Sequence, residues 1–420
     1  MHHITDDAEA RPTIRRRASV VAALGLVVVV AACSSSSDVS GGDDGATTPS
    51  VVEVEPVDYS ERGPFEVGTT VLQLDEREVF VFYPADPDST ATAEPVTGYS
   101  SAIAFPESVL PVIPDELIQD LPLDAYRDPA PSPDGPFPTI IYSHGAGDHA
   151  AFSSGHFEHM ASWGFVTASP EHTERDLAAS TLGATARVDD VEVLRATLEL
   201  LGEENEAGPL AGSMDLDQLA AEGLSAGGSA ALRFAYDPEV KAVIGRAPGS
   251  GVRVEVPDDI AEDADARRAY VTEAVREAYA ETPPPDKPSL IIAGEVDETI
   301  PLASIERTFE WLAPPKRFAV IADAGHNSFT DICAPVRAQG GLRQYAGQIP
   351  VPEELLERGD DGCRPENIDP QVAYDVINQL TVAQLRDVFD IDADVAAASL
   401  EETWLEELFP GSLARYEYVP

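Results

Sequence analysis

The chain has 420 residues and 43% of them are hydrophobic, enough for one elaborated domain or two smaller ones with a large core. Its 27 lysines and arginines stand against 75 aspartates and glutamates, for a formal net charge of -48. Such a charge repels phosphate backbones and argues against a nucleic-acid partner. We interpret the acidity as a solvated surface and derive no function from it.

The N-terminus has the layout of an export signal. Three arginines at 15–17 precede an uncharged stretch over 18–32. The stretch is shorter than the ~20 residues that span a bilayer, so we predict a removed signal peptide over 1–32. Val30-Ala31-Ala32-Cys33 resembles the bacterial lipobox, whose cysteine is lipidated. We expect an exported protein held by Cys33 on the outer face of the cell membrane.

A plain secretory signal with an unmodified cysteine is the alternative, and the paired arginines also permit a twin-arginine route. Residues 33–55 have no apolar periodicity and predict a flexible tether, with the folded domain over 56–420. Without Cys33, Cys333 and Cys363 remain as a pair in a chain expected in an oxidising compartment. We therefore predict a disulfide between them.

Strand and helix patterns alternate along the predicted domain. TTVLQL and REVFVFYPA predict a first hairpin of strands, and helices are predicted at 152–163, at 187–201 and directly after Ser225. Further strands are predicted at TIIYSHG, GFVTASPEH, LDQLAAEGLS, VKAVIGRAP, PSLIIAGEVD and KRFAVIADAGH. This order predicts an α/β fold with a mostly parallel sheet covered by helices on both faces.

Three segments do not fit this minimal pattern and are predicted to be insertions. Residues 85–138 are rich in proline and acidic groups and are expected to pack on the surface. Residues 259–281 predict a helical insertion and are a candidate lid. Residues 331–367 form an irregular stretch that encloses the cysteine pair. A long closing helix and a final amphipathic segment are expected after it.

One serine lies in a Gly-x-Ser-x-Gly motif, Gly223-Leu224-Ser225-Ala226-Gly227. The predicted strand before it and helix after it are the context of a nucleophile elbow, in which small neighbours let the helix leave the strand sharply. We interpret Ser225 as a nucleophile. The alternative is a serine in an ordinary turn between strand and helix.

A serine hydroxyl needs a base to accept its proton and a carboxylate to orient that base. His326 is the only histidine after Ser225, and it follows the last predicted strand. We choose Asp297, after the preceding strand, as the acid, in the chain order Ser, acid, His of the α/β-hydrolases. Glu295 and Asp323 remain alternative acids.

Acyl transfer also needs amide donors for the developing oxyanion. By elbow geometry one donor is the amide of Ala226. The second is expected in the HGAG loop after TIIYSHG, at Ala146 with Gly147 as the alternative. His144 then shapes the loop and is not the base.

The blocks FYPA, IYSHGAG, WGFVTASPEH, GLSAGG, AGEVDETIP and AGHNSFTD resemble the bacterial dienelactone-hydrolase-like and platelet-activating-factor-acetylhydrolase-like α/β-hydrolases. The resemblance covers about residues 62–395 with interruptions. It implies a serine carboxylic-ester hydrolase with Ser225, Asp297 and His326 as its triad. The cysteine nucleophile of true dienelactone hydrolases is absent, so their substrate is not implied.

The resulting expectation is a hydrolase that cleaves a small-molecule or lipid ester through an acyl-enzyme, without a cofactor or a metal. A serine peptidase or amidase would use the same machinery, and a non-catalytic, ligand-binding lipoprotein would reuse only the scaffold. His156 and His159 have a spacing that could bind metal, but we favour an exposed helix beside a loop. Residues 171–176 either line the cleft or form a surface loop. No oligomeric state is inferred.

Overall fold

The fold is built on one sheet of eleven strands in a computed structural model that describes residues 54–105, 107–182, 188–254, 256–257 and 264–420. The predicted signal peptide over 1–32, Cys33 and the tether as far as residue 53 lie outside the described residues. The strands are β1 (Glu66–Leu74), β2 (Arg77–Ala85), β3 (Glu94–Ser100), β4 (Asp120–Arg127), β5 (Phe137–Ser143), β6 (Val166–Pro170), β7 (Met214–Leu224), β8 (Val240–Arg246), β9 (Ser289–Gly294), β10 (Lys316–Ile321) and β11 (Leu413–Val419).

Helices flank this sheet, several of them where the apolar periodicity predicts them. They are α1 (Pro87–Thr90), α2 (Ser154–Ser162), α3 (Leu177–Leu182), α4 (Asp190–Ala207), α5 (Ala226–Phe234), α6 (Ala264–Glu281), α7 (Leu302–Trp311), α8 (Cys333–Ala338), α9 (Glu353–Asp360), α10 (Pro370–Val388), α11 (Ala393–Ala398) and α12 (Glu402–Leu408). None of the helices in the described part of the chain is long and apolar enough to cross a membrane.

The strand order is β11-β10-β9-β8-β7-β5-β6-β2-β1-β4-β3. From β10 through β9, β8, β7 and β5 to β6 every neighbouring pair is parallel, and β1 with β2 forms the predicted antiparallel hairpin. Strands β5, β9 and β10 are buried along their whole length, as apolar strands covered on both faces should be. The predicted α/β-hydrolase fold with a mostly parallel sheet is confirmed.

The first predicted insertion, at 85–138, is part of the sheet, and the expectation of a surface-packed segment is wrong for its strands. β4 pairs with β1 in parallel, and β3 pairs with β4 antiparallel to form the sheet edge. In β4 the residues Leu121, Leu123 and Ala125 are buried while their neighbours face outward. This alternation is typical of a strand, but prolines on both sides of it hide the pattern.

The other two insertions and the C-terminus also differ in detail from the expectation. α6 begins at Ala264, and residues 258–263 before it lie outside the described part. The segment 331–367 contains two short helices, α8 and α9, where an irregular stretch is expected. The final amphipathic segment yields α12 and then β11, which pairs antiparallel with β10 and extends the sheet by an unpredicted strand.

Candidate active site

Ser225 stands at the sharp turn between β7 and α5, as an elbow requires. Its backbone has φ 56° and ψ -116°, a left-handed conformation that a non-glycine residue adopts only when the surroundings impose it. Those surroundings are hydrogen bonds on both sides of the turn. The amide of Ser225 donates to the carbonyl of Arg246 at 2.9 Å, and its carbonyl accepts from the amide of Ser229 at 3.0 Å.

Two glycines of the motif allow the close approach of backbone at this turn. A Cβ atom on Gly227 would lie 1.8 Å from the carbonyl oxygen of Ser143, and one on Gly223 would lie 2.4 Å from the carbonyl carbon of Gly227. Both contacts are with backbone, which cannot swing aside. The glycines of Gly-x-Ser-x-Gly are therefore required by the packing of α5 against β5 and β7.

The structure joins two of the predicted catalytic residues directly. Asp297 follows β9 and His326 follows β10, so both lie beyond the carboxyl ends of parallel strands, as Ser225 does after β7. The His326 Nδ1–H donates to Asp297 Oδ2 at 2.8 Å, and each residue is only 7% exposed. This bond fixes the tautomer in which Nε2 is free to accept a proton.

Asp297 is itself held by its own turn. Its Oδ1 accepts from the amides of Thr299 at 2.9 Å and Ile300 at 2.6 Å. Of the alternative acids, Glu295 accepts from the amide of Asp323 at 3.2 Å. Asp297 is therefore the carboxylate that the imidazole of His326 contacts.

Asp361 is a residue that the sequence gives no reason to select, yet it touches both turns of this pair. Its Oδ1 accepts from the amide of His326 at 3.2 Å, and its Oδ2 accepts from the amide of Thr299 at 2.9 Å and the Thr299 hydroxyl at 2.7 Å. Burial raises the pKa of this carboxyl, although the hydroxyl of Thr299 opposes the shift. Two positions further on, Cys363 forms the predicted disulfide with Cys333.

The two predicted oxyanion donors occupy suitable positions. Ala226 is the first residue of α5, where the amide has no partner within the helix. Ala146 lies in the loop after β5 and lines the same cavity as Ser225. The alternative, Gly147, is ruled out as a free donor because its amide donates to the carbonyl of Arg175 at 2.7 Å.

Residues 171–176 pack against this loop through the buried side chains of Glu171 and His172. They neither line the cavity nor form the surface loop that is the alternative expectation. The amide of His172 donates to His144 Nε2 at 2.9 Å, while the His144 Nδ1–H donates to the carbonyl of Gly145 at 2.8 Å. Glu171 is buried, which raises its pKa, but the nearby His144 and His149 outweigh burial and bring that pKa to about 2. His144 thus takes the loop-shaping place predicted for it.

The histidine pair of α2 has partners other than a metal, and the expected exposed helix is wrong. His156 is fully buried, where its Nδ1–H donates to Asn378 Oδ1 at 2.7 Å and its Nε2 lies 3.2 Å from Glu222. His159 donates through Nε2 to the carbonyl of Tyr59 at 2.7 Å. The described residues contain no group of three or more potential ligands arranged to hold a metal ion.

A buried ion pair lies under the elbow. Glu222, three residues before Ser225, is 3.1 Å from the Nε of Arg246, and both side chains are fully buried. Burial raises the pKa of Glu222, but the charges of His156 and Arg246 outweigh it and hold the pKa below its usual value. The pair anchors the ends of β7 and β8 at the strands that carry the elbow.

A cavity of about 160 Å³ opens beside Ser225 and His326. One side of it, here called the insertion wall, consists of residues 101–105 and 117–119. The opposite side, here called the disulfide wall, is drawn from residues 332–359, nearly all of which lie between the two bonded cysteines. The two walls pack on each other through Leu117, Tyr345, Ile349 and Leu356.

An elbow serine, a histidine–carboxylate pair and two candidate amide donors at one edge of a mostly parallel sheet define the chain as an α/β-hydrolase. The family model described as platelet-activating factor acetylhydrolase, isoform II, matches residues 57–235. This range includes the elbow but ends before Asp297 and His326.

A solved structure, a ferulic acid esterase from Streptomyces cinnamoneus, is similar with 21% identity and a TM-score of 0.51. The match covers 78% of this chain and 90% of that chain, and at this identity it establishes the shared fold. No curated protein matches the chain at a significant level. The chain has an α/β-hydrolase fold and is similar to the platelet-activating factor acetylhydrolase family over residues 57–235, so the resemblance stated from its sequence blocks is confirmed.

Proposed function

We propose that this protein is a serine hydrolase that cleaves carboxylic esters through an acyl-enzyme on Ser225. The observation that carries the proposal is the 2.8 Å hydrogen bond from His326 to Asp297 at the cavity that Ser225 also lines. The comparisons indicate a hydrolase of the esterase group, and the named triad and the covalent intermediate are our inference.

The steps follow from the roles these groups can take. His326 Nε2 accepts the proton of Ser225 Oγ while that oxygen attacks the ester carbonyl carbon. The amides of Ala226 and Ala146 stabilise the oxyanion, at about 2.7–4 kcal/mol for each donor in the transition state. The imidazolium then protonates the leaving alcohol. Water attacks the acyl-enzyme with His326 as base, the acid is released, and Ser225 regains its proton.

Asp297 orients the imidazole through Nδ1 during these steps. A serine peptidase or amidase would use the same groups. Ester and peptide substrates of the same acyl group separate the two activities, and we expect turnover of the ester only.

The test combines a fluorophosphonate probe with p-nitrophenyl ester turnover. Wild-type protein should be labelled on Ser225, and Ser225→Ala should lose labelling and about 10⁶-fold in kcat while its unfolding midpoint is unchanged. Ser229→Ala, on the next turn of α5, is the matched control and should keep both fluorophosphonate labelling and ester turnover. A Ser225→Ala variant that hydrolyses the ester at the parent rate would refute the assignment.

We also propose export and lipid attachment at Cys33, the residue that follows the predicted signal peptide. Cells expressing the full chain should incorporate a fatty-acid label into the protein, and Cys33→Ser should abolish that label. Secretion of an unlabelled wild-type protein would leave the plain secretory signal as the explanation.

A further inference from the structure

The cavity beside Ser225 is mainly apolar on the sides that its two walls provide. The polar side chains among the described lining residues of these walls are Ser101, Gln119 and Gln339. The disulfide wall contributes Val336, Leu342, Ile349 and Leu356, and the insertion wall contributes Phe105 and Leu117. Its volume of about 160 Å³ is similar to that of apolar cavities lined by leucine, isoleucine and phenylalanine that admit benzene. An alkyl chain or a small ring therefore gains free energy by leaving water for this space.

The described residues that line this cavity include no lysine or arginine side chain that could receive an anion. Among these residues only Asp148 and His326 titrate. Burial raises the pKa of Asp148. Its carboxylate oxygens accept hydrogen bonds from the backbone amides of Gly145 and His149. A carboxylate on the substrate would thus be desolvated beside a carboxyl group, a costly placement.

The acyl group is the part of an ester that suits such a space. During turnover the alcohol leaves and water enters, so their side of Ser225 must stay open to solvent, whereas the acyl group remains bound through both steps. Resting on the proposed function, we infer that the two walls form an acyl pocket that selects esters of uncharged, apolar carboxylic acids. The two segments that form these walls, which are additions to the minimal α/β-hydrolase fold, would then determine which acyl groups the enzyme accepts.

The first experiment compares kcat/KM across p-nitrophenyl acetate, butyrate, hexanoate and octanoate. We expect a rise of up to about fourfold per methylene until the pocket is filled. p-Nitrophenyl hemisuccinate, corrected for its enzyme-free hydrolysis, should fall about 100-fold or more below the pentanoate of similar length. Acetates of methanol, butanol and hexanol should differ little.

The second experiment changes the wall at Leu355, a half-buried lining residue on α9. Leu355→Trp should lower octanoate turnover relative to acetate about tenfold, because its ring fills the space for the longer chain. Leu355→Lys should raise the ratio of hemisuccinate to pentanoate turnover about tenfold. Val112→Trp adds the same bulk at a position that is 55% exposed and does not line the cavity, so it should change neither ratio.

A chain-length series flat to within twofold, or a hemisuccinate within threefold of the pentanoate, would overturn the acyl pocket. So would a length dependence that appears only in the alcohol series. If Ser225 is labelled and acetate is turned over in those cases, the proposed function stands and only the pocket fails. If the probe leaves Ser225 unlabelled, the proposed function fails with it. Should a variant not fold, the wild-type series still decides.

Discussion

The Oδ1 atom of Asp361 accepts a hydrogen bond from the backbone amide of His326 at 3.2 Å. The other carboxylate oxygen accepts from the amide and hydroxyl of Thr299, two residues after Asp297. One carboxylate thus spans the turn that carries the acid and the turn that carries the base. Because this carboxylate acts through the backbone of His326 and through Thr299, we regard Asp361 as a positioning residue for the proposed reaction.

Replacing this carboxylate should lower catalysis more than binding. In Asp361→Asn one oxygen becomes an amide nitrogen that cannot accept, so at least one turn loses its hydrogen bonds. We expect kcat to fall about 10- to 100-fold with KM within twofold, because a small displacement of the base is costly in the transition state. Steady-state kinetics with p-nitrophenyl butyrate and the rate of fluorophosphonate labelling measure the effect.

Glu366→Gln removes the same charge from an exposed position of the same segment and is the matched control. It should leave both constants within twofold of wild type. A loss of activity in Asp361→Asn that simply follows a lower melting temperature would contradict a positioning role.

The disulfide should stabilise both the fold and this arrangement. Cys333 and Cys363 close a loop with a sequence separation of 30, for which chain entropy gives about 3.5 kcal/mol. The double variant Cys333→Ser/Cys363→Ser should unfold at a correspondingly lower urea concentration. Its kcat should fall as well, because Asp361 lies two residues from Cys363.

Wild-type protein treated with a reductant is the comparison for the double variant. Its unfolding midpoint should move toward that of the double variant. A midpoint unaffected by reductant would show that the bond contributes nothing to stability.

Much of the fold follows from local sequence pattern. β5, β7, β9 and β10 have apolar runs that end in glycine, so their carboxyl ends can be placed without coordinates. The predicted chain order of nucleophile, acid and base then brings Ser225, Asp297 and His326 to one sheet edge. The structure adds the 2.8 Å bond between Asp297 and His326.

The features that the sequence does not predict depend on contacts between segments that are distant in the chain. Nothing local distinguishes Asp361 from Asp360, since its role arises from two turns more than 30 residues before it. β11 has no fully buried residue, because it is an edge strand, and only its pairing with β10 identifies it. The two walls likewise enclose a cavity only when residues 101–105 and 117–119 meet residues 332–359.

Two glycine substitutions should have opposite effects on stability. Gly227→Ala places a Cβ atom 1.8 Å from the carbonyl oxygen of Ser143 and should cost several kcal/mol, with loss of the elbow geometry. Gly202→Ala lies inside α4 with no neighbour closer than 4.0 Å, so helix propensity should stabilise the protein by ~1 kcal/mol. Urea unfolding monitored by circular dichroism measures both. Equal effects of the two changes would contradict the packing argument.

Three histidines should each lower the free energy of unfolding as the pH drops from about 6.5 toward 4, while Asp331, whose pKa burial raises to about 6, acts in the opposite direction. Burial lowers the pKa of His149 to about 4 and that of His159 to about 4, and it lowers the pKa of His172 as well. In this window the unfolded chain binds protons that the folded chain does not, so each histidine reduces the free energy of unfolding by up to ~1.4 kcal/mol per pH unit. Well above pH 6.5 the three histidines are neutral in both the folded and the unfolded chain, so they no longer make the free energy of unfolding depend on pH.

His159→Gln isolates one of these contributions. A glutamine amide can still donate to the carbonyl of Tyr59, which His159 Nε2 contacts at 2.7 Å, but it does not titrate. We expect the stability of His159→Gln to depend less steeply on pH than that of wild type, by up to one proton, between pH 6.5 and 4. Urea unfolding at half-unit pH steps measures the two slopes. If they coincide, protonation of His159 in the unfolded chain does not contribute to acid destabilisation.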